Sequence, residues 1–131
     1  MLANVYLHEF DFFVRHALKP LGYTRYGDDF IVIVGTRQEA LRLQSLGSSF
    51  LKEQLRLELH SKNNIVVKVK YGVKYLGVIT YPKRQTLSSQ EFKRIQDKLL
   101  PENCESYNSY IERYGSTRQK DALTSQISRL F

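Results

Sequence analysis

The chain has 131 residues, of which 42% are hydrophobic and 25% are charged, and its formal net charge is +7. This length suits one domain with a modest hydrophobic core. The single cysteine, Cys104, excludes an intramolecular disulfide and a cysteine metal cluster, which fits a reducing, cytoplasmic location. Neither a signal peptide nor a run of about 20 apolar residues is present, so the sequence predicts no secretion and no membrane partner.

The positive charge is concentrated in residues 50–84. This stretch holds eight Lys and Arg residues against two Glu residues, which is +6 of the total +7. Basic surface gains affinity by releasing counterions from phosphates, so a nucleic acid is the favoured partner and simple solubility is the alternative. The candidate nucleic-acid-binding residues are Lys62, Lys68, Lys70 and Lys74.

The first predicted elements are a helix over residues 2–18 and a β-hairpin. Five apolar residues recur at helical spacing: Leu2, Tyr6, Phe10, Phe13 and Ala17. Pro20 and Gly22 end the helix. In the hairpin, residues 23–25 and the apolar run 30–34 flank the tight turn Tyr26-Gly27-Asp28-Asp29. We expect the two aspartates at its exposed tip. The strand alternation places Ile31 and Ile33 on one side of the sheet and Phe30, Val32 and Val34 on the other.

A second helix and a second hairpin are predicted next. Thr36 and Glu39 have the spacing of a capping box, and the apolar face of Leu43, Leu46 and Phe50 continues towards Leu55. Residues 55–59 alternate between leucine and polar residues, which predicts a half-buried strand or an extended segment. Residues 65–70 and 73–81 flank Tyr71-Gly72 and predict the hairpin.

Helices dominate the remainder of the prediction. Ser88 and Glu91 open one helix that ends before Pro101, and a second covers residues 104–114 with Gly115 closing it. The last amphipathic segment contains Leu123, Ile127 and Leu130. The aromatic stripe of Tyr107, Tyr110 and Tyr114 favours packing over stacking on bases. The fold class is therefore α+β, with helices packed on antiparallel sheet.

The Tyr26-Gly27-Asp28-Asp29 turn carries the chemistry. Two adjacent carboxylates repel each other unless cations join them, and their oxygens suit Mg²⁺, the ion that phosphoryl transfer requires. A solvated turn is the alternative, because Gly-Asp turns are common for conformational reasons alone. His8, His16 and His60 lack metal-ligand spacing.

Four blocks, in order, resemble the reverse transcriptases of the bacterial class related to group II intron and retron enzymes. The first two read Met1-Leu2-Ala3-Asn4-Val5-Tyr6-Leu7-His8-Glu9-Phe10-Asp11 and Tyr23-Thr24-Arg25-Tyr26-Gly27-Asp28-Asp29-Phe30. The others read Leu55-Arg56-Leu57-Glu58-Leu59-His60-Ser61-Lys62 and Gly72-Val73-Lys74-Tyr75-Leu76-Gly77. The resemblance implies that residues 1–82 are the carboxy-terminal part of a polymerase palm. Residues 83–131 would be a helical extension in the thumb position, packed with the palm as one compact unit.

The resemblance also implies an activity: an RNA-directed DNA polymerase that performs nucleotidyl transfer on an RNA template, a DNA primer and deoxynucleoside triphosphates. Asp28 would be the principal catalytic ligand of a two-Mg²⁺ site and Asp29 an auxiliary carboxylate. Five residues would position primer and substrate: Tyr26, Gly27, Gly72, Leu76 and Gly77.

The family has a further metal-binding Asp on a strand before the first block. We therefore expect the isolated chain to be inactive. Two alternatives stay open, a non-catalytic nucleic-acid-binding module and a folded but idle remnant. The intron, retron, diversity-generating and defence branches of the family are also not distinguished.

Overall fold

The computed structural model describes Leu2 to Phe131, apart from the side chains of Leu2 and Ala3. Met1 and the predicted place of the Leu2 side chain on the helix face lie outside the described residues. The chain is α+β and divides into two compact units, Met1–Val66 and Val67–Phe131. The predicted α+β class is confirmed. The predicted boundary between residues 1–82 and 83–131 refers to the parts of a polymerase, and it stays a prediction. Within residues 2–131, no helix is long and apolar enough to cross a bilayer.

The helical region at the start of the first unit covers the predicted residues 2–18 in three pieces. These are helix α1 (Leu2–Tyr6), helix α2 (His8–Phe13) and a π-helical turn (Val14–Leu18). The amide of Lys19 donates to the carbonyl of Val14 at 2.9 Å, and Lys19 has a φ of 47° that ends the helix before Pro20. Of the predicted apolar face, Phe10 is buried and Phe13 packs against the core, whereas Tyr6 and Ala17 are exposed. Leu7 and Val14 complete the buried face.

The first predicted hairpin is confirmed. Strands β1 (Gly22–Tyr26) and β2 (Asp29–Ile33) pair antiparallel in a register that runs from Gly22 opposite Ile33 to Tyr26 opposite Asp29. Phe30 faces α2, where its ring lies 5.0 Å from the ring of Phe10. Because side chains alternate along a strand, Ile33 falls on a different side from Phe30, and it is exposed.

Helix α3 (Arg37–Gln54) completes the first unit and begins at the predicted cap. The Thr36 hydroxyl accepts a hydrogen bond from the amide of Glu39 at 3.2 Å. The side chain of Phe50 stacks on Phe13 with 4.2 Å between ring centroids, whereas Leu46 is exposed. The buried core of this unit consists of Leu7, Phe10, Val14, Leu51 and Leu55.

The segment between α3 and the second sheet differs from the prediction. Residues 55–59 form no strand, and Arg56 adopts a φ of 53°. The predicted strand over residues 65–70 is wrong: residues 64–68 have no regular structure and a short 3-10 turn follows (Val69–Tyr71). Ile65, Val67 and Val69 are exposed. Their alternation with lysines has the pattern of a strand, but the described residues provide no strand that pairs with them.

The second sheet consists of β3 (Val73–Tyr75), β4 (Val78–Thr80) and β5 (Gln85–Leu87), in the order β3-β4-β5. The hairpin turn is Leu76-Gly77 rather than the predicted Tyr71-Gly72. Both turn residues have positive φ, 51° and 81°, as a two-residue type I′ turn requires. The single predicted strand over residues 73–81 therefore becomes two.

Three helices pack on this sheet: α4 (Ser89–Asp97), α5 (Cys104–Tyr114) and α6 (Thr117–Ile127). The bounds of α5 match the prediction and α4 begins after the predicted cap Ser88, whereas α6 contains Leu123 and Ile127 of the last predicted segment but ends before Leu130. The buried core consists of Leu87, Ile95, Leu99, Cys104, Ile111 and Leu123. The three tyrosines of α5 pack against this core, which agrees with the packing interpretation of the aromatic stripe.

We predict that Leu76→Asn stabilises the protein. Leucine in a left-handed conformation is strained by about 1 kcal/mol, which asparagine largely relieves. The side chain is 48% exposed, so little burial is lost. Urea unfolding of both proteins measures the gain. The matched control is Leu76→Ala, which keeps a Cβ and should give no gain. An Asn variant no more stable than the Ala variant would show that the turn is not strained.

Candidate functional site

The β1–β2 hairpin presents its two carboxylates at the tip, as predicted. Tyr26 and Asp29 are the last paired residues, and Gly27 and Asp28 form the two-residue loop between them. Asp28 and Asp29 are exposed, and the ring of Tyr26 is 70% exposed. The structure therefore brings all four residues of the motif together on one solvent-facing turn.

Gly27 is required by the conformation of this turn. Its φ is +62°, the value that the first residue of a type II′ hairpin turn needs. A Cβ added at this position would have no heavy atom within 4 Å. The glycine is thus explained by its φ, and the space beside its backbone is open.

Arg25 connects this turn to the helices of the same unit. Its Nε donates to Asp11 Oδ1 at 2.7 Å and its Nη2 to Asp11 Oδ2 at 2.6 Å, which makes a bidentate ion pair. Its Nη1 donates to Asn4 Oδ1 at 3.1 Å and to the carbonyl oxygen of Gly27. The Tyr23 hydroxyl donates to Asp11 Oδ1 at 2.6 Å. We call Asp11, Tyr23, Arg25 and the Gly27 carbonyl the turn clamp.

The turn clamp is largely shielded from water and contains an ion pair. The Arg25 and Asp11 side chains are 10% and 17% exposed. Hydrogen bonds from Arg25 hold the pKa of the Asp11 carboxyl below its ordinary value of 3.8, against the opposing effect of burial. Burial and then the hydrogen bond to Asp11 raise the pKa of the Tyr23 hydroxyl. Asp11 is therefore a carboxylate and Tyr23 a neutral phenol at neutral pH.

The tip carries two carboxylates of the type that a metal site needs. Asp28 and Asp29 offer the hard oxygen donors that Mg²⁺ prefers. Among residues 2–131, no group of three or more His, Cys, Asp or Glu side chains is placed to hold a metal ion. The donor type fits the implied Mg²⁺, and further ligands would have to come from phosphates, from water or from protein groups beyond those described.

The other predicted positioning residues lie in the second unit. Leu76 and Gly77 form the β3–β4 turn, and the Gly77 carbonyl accepts from the amide of Ser88 at 2.8 Å. A Cβ on Gly77 would lie 3.0 Å from Glu91, so α4 packs closely against this turn. Gly72 has a φ of 89°, and its Cβ would lie 2.9 Å from Ile79 and Tyr81. Local packing accounts for both glycines.

The predicted nucleic-acid-binding lysines are exposed but do not share one strand. Lys62 lies in a turn of the first unit, and Lys68 and Lys70 lie in and beside the irregular segment that opens the second. Lys70 Nζ is 4.9 Å from the centroid of the Tyr71 ring, and Lys74 Nζ is 3.4 Å from Gln90 Oε1. Lys68 and Lys70 are therefore not on the strand that the sequence predicts over residues 65–70.

The sequence interpretation missed the turn clamp, although one signal for it was present. Residues two apart on a strand share a face, so Tyr23 and Arg25 had to point the same way as each other. An Arg on the face that packs against a helix needs a carboxylate, and Asp11 is an acidic residue of the preceding helix. Glu9 is the other acidic residue of that helix, so the sequence narrows the partner of Arg25 to these two residues.

Comparisons with known proteins add no further constraint: no protein-family model, no curated protein and no solved structure matches this chain.

We predict that Asp11→Asn destabilises the protein by roughly 2–3 kcal/mol at neutral pH, because Arg25 loses its charged partner in a shielded site. Because the pKa of Asp11 is lowered on folding, its stabilisation is complete above pH 3.8 and is lost as the pH falls through the folded value. The variant should therefore lose less stability on acidification. Urea unfolding between about pH 5 and pH 2 measures both effects.

Glu9→Gln is the matched control, because Glu9 is an exposed acidic residue of the same helix. It should keep the neutral stability and the acid dependence of the parent protein. Amide hydrogen exchange at residues 26–29 should be faster in Asp11→Asn alone. Equal exchange in both variants would show that Asp11 does not hold the turn.

Proposed function

We propose that this chain forms part of an RNA-directed DNA polymerase, a reverse transcriptase, and that the β1–β2 tip is its metal-binding turn for nucleotidyl transfer. The observation that carries the proposal is the pair of adjacent, exposed carboxylates on a two-residue hairpin turn braced by Arg25. A polymerase needs carboxylates held rigidly where substrate phosphates can approach. The turn clamp supplies the rigidity and the exposed tip supplies the access.

In this proposal Asp28 and Asp29 would hold Mg²⁺, with Asp28 the principal ligand. The bound ions would supply Lewis-acid activation of the primer hydroxyl and neutralise charge on the triphosphate. Arg25 keeps the Gly27 carbonyl, and with it the turn, in one conformation. Tyr26 offers an exposed ring beside the primer terminus, and Gly27 leaves room for close approach of the backbone.

The finer fold assignment belongs to the same proposal. Helices followed by a catalytic hairpin would be the carboxy-terminal part of a palm, with residues 83–131 in the thumb position. Leu76, Gly72 and Gly77 would support the primer strand, and Lys62, Lys68, Lys70 and Lys74 would contact phosphates of template and primer. Two carboxylates are too few for an in-line transfer site, so the isolated chain should not extend a primer.

A non-catalytic nucleic-acid-binding module is the second candidate. It is favoured by the concentration of positive charge in one unit. Val67–Phe131 contains twelve Lys and Arg residues and six Asp and Glu residues. Such a module would keep its binding when Asp28 is replaced. A test of metal binding therefore distinguishes the two candidate functions.

We predict weak divalent-metal binding at the hairpin tip. In a titration with Mn²⁺, NMR signals of residues 26–29 should broaden selectively, with an affinity on the order of millimolar for two carboxylates. Asp28→Asn should remove most of the effect and Asp29→Asn less of it. The control is Glu105→Gln, an exposed carboxylate of α5. Broadening that is the same in Asp28→Asn as in the parent would refute the metal-binding role.

We also predict weak, sequence-independent binding of an RNA–DNA hybrid. Phosphate contacts give affinity without base preference, and log affinity should fall with log salt by about 0.9 per phosphate neutralised. Replacing Lys68, Lys70 and Lys74 by Gln should make this slope shallower. Fluorescence anisotropy at several salt concentrations measures it. Replacing Arg15, Arg37 and Arg42 of the first unit by Gln is the charge-matched control. Equal slopes in the two triple variants would assign the binding surface elsewhere.

A further inference from the structure

The two units differ sharply in charge. Val67–Phe131 contains twelve basic and six acidic residues, and Met1–Val66 contains eight basic and seven acidic residues. The second unit therefore carries +6 of the net charge of +7. A polyanion in solution would be attracted to this unit, and the position of its cations decides where it binds.

Part of this charge lines a cleft of about 380 Å³. One wall is the end of the β4–β5 turn, and the other is the junction of α5 and α6. Three lining residues are cationic, Arg84, Arg118 and Lys120, and none is acidic. We call this the basic cleft.

The walls of the basic cleft are joined by side-chain hydrogen bonds. Gln119 Oε1 accepts from the Leu87 amide and from Thr86 Oγ1, both at 3.0 Å, and Gln119 Nε2 donates to the Leu87 carbonyl at 3.0 Å. Gln85 Nε2 donates to the Arg113 carbonyl at 2.7 Å. The two walls that carry the cations are thus held together before any ligand binds, which reduces the entropy cost of binding.

Two of the three cations, Arg84 and Arg118, retain full capacity to bind an anion. The Arg84 guanidinium lies 4.1 Å from the Tyr81 ring centroid, a contact that occupies its face and leaves its edge donors for other acceptors. Lys120 Nζ pairs with Glu112 at 3.2 Å, which neutralises one charge. Arg118 has no ion pair or side-chain hydrogen bond within residues 2–131, and it is exposed.

We propose that the basic cleft binds a phosphate group, either a phosphodiester of a nucleic-acid backbone or a phosphate of a free polyphosphate. One guanidinium group can donate two parallel hydrogen bonds to the oxygens of a phosphate. Two arginines on opposite walls of the cleft can bind the same phosphate group in this way. The capping box of Ser116 and Gln119 is complete at the start of α6. The side-chain cations, and not the start of the helix, are therefore the groups proposed to bind the phosphate. This site is separate from Asp28 and from the predicted lysines, and it stands without the polymerase assignment.

The test uses the full chain with two probes, a fluorescein-labelled single-stranded oligonucleotide and inorganic tripolyphosphate. The double variant Arg84→Gln with Arg118→Gln removes two charges from the cleft. The matched control, Lys93→Gln with Arg129→Gln, removes two exposed charges of the same unit outside it. Oligonucleotide affinity should fall about tenfold in the cleft variant and less than twofold in the control. The salt slope should decrease by about 1 for each arginine that contacts phosphate.

The two probes identify the source of the phosphate. Loss of binding to both probes supports a site for phosphate groups in general, and loss for the oligonucleotide alone supports a site for the nucleic-acid backbone. Equal losses in the cleft variant and the control overturn the proposal. In the parent protein, tripolyphosphate should shift the NMR signals of Thr117 and Arg118, and unchanged signals at saturating probe also overturn it. An effect of the Lys68, Lys70 and Lys74 variant alone would leave the proposed function intact and reject this site.

Discussion

Arg25 reaches from the hairpin to Asp11 on α2, and water has little access to either side chain. Charges in such a position lose hydration, and only well-aligned hydrogen bonds offset that loss. The bidentate geometry and the Tyr23 hydroxyl together give the carboxylate three hydrogen bonds for its roughly four acceptor sites. Because the same guanidinium also binds the Gly27 carbonyl, the conformation of the exposed turn depends on the interior of the unit.

The carboxylates and the excess cations belong to different units. The tip aspartates lie in the nearly neutral unit Met1–Val66, and most of the net positive charge lies in Val67–Phe131. Each unit has its own core, one built around Phe10 and the other around Ile95 and Ile111. The proposed metal binding and the proposed polyanion binding can therefore be tested by substitutions in different units.

Local rules explain which elements the sequence could predict. Helices α3 and α4 are predictable because Thr36 and Ser88 combine a capping signal with a clear apolar period, and α5 is predictable from its apolar period and the glycine that follows it. The first hairpin was found because Gly27 and Asp28 suit a two-residue turn. The tip aspartates of the candidate site follow from the same signal.

The second hairpin was misplaced because two turn signals compete within seven residues. Tyr71-Gly72 and Leu76-Gly77 both end in glycine, and leucine at positive φ contradicts the usual preference for asparagine there. Only pairing with β5 selects the second turn. The basic cleft could not be predicted from the sequence either, because Arg84 and Arg118 come from elements that are distant in the chain.

The irregular segment that joins the two units alternates exposed valines with lysines. Short, unpaired, β-branched stretches are the part of a protein most prone to add a strand from another molecule. Charges within such a stretch act as gatekeepers against this self-association. Lys68 and Lys70 interrupt the apolar run at Val67 and Val69, which are the positions that gatekeeper charges take in such a stretch.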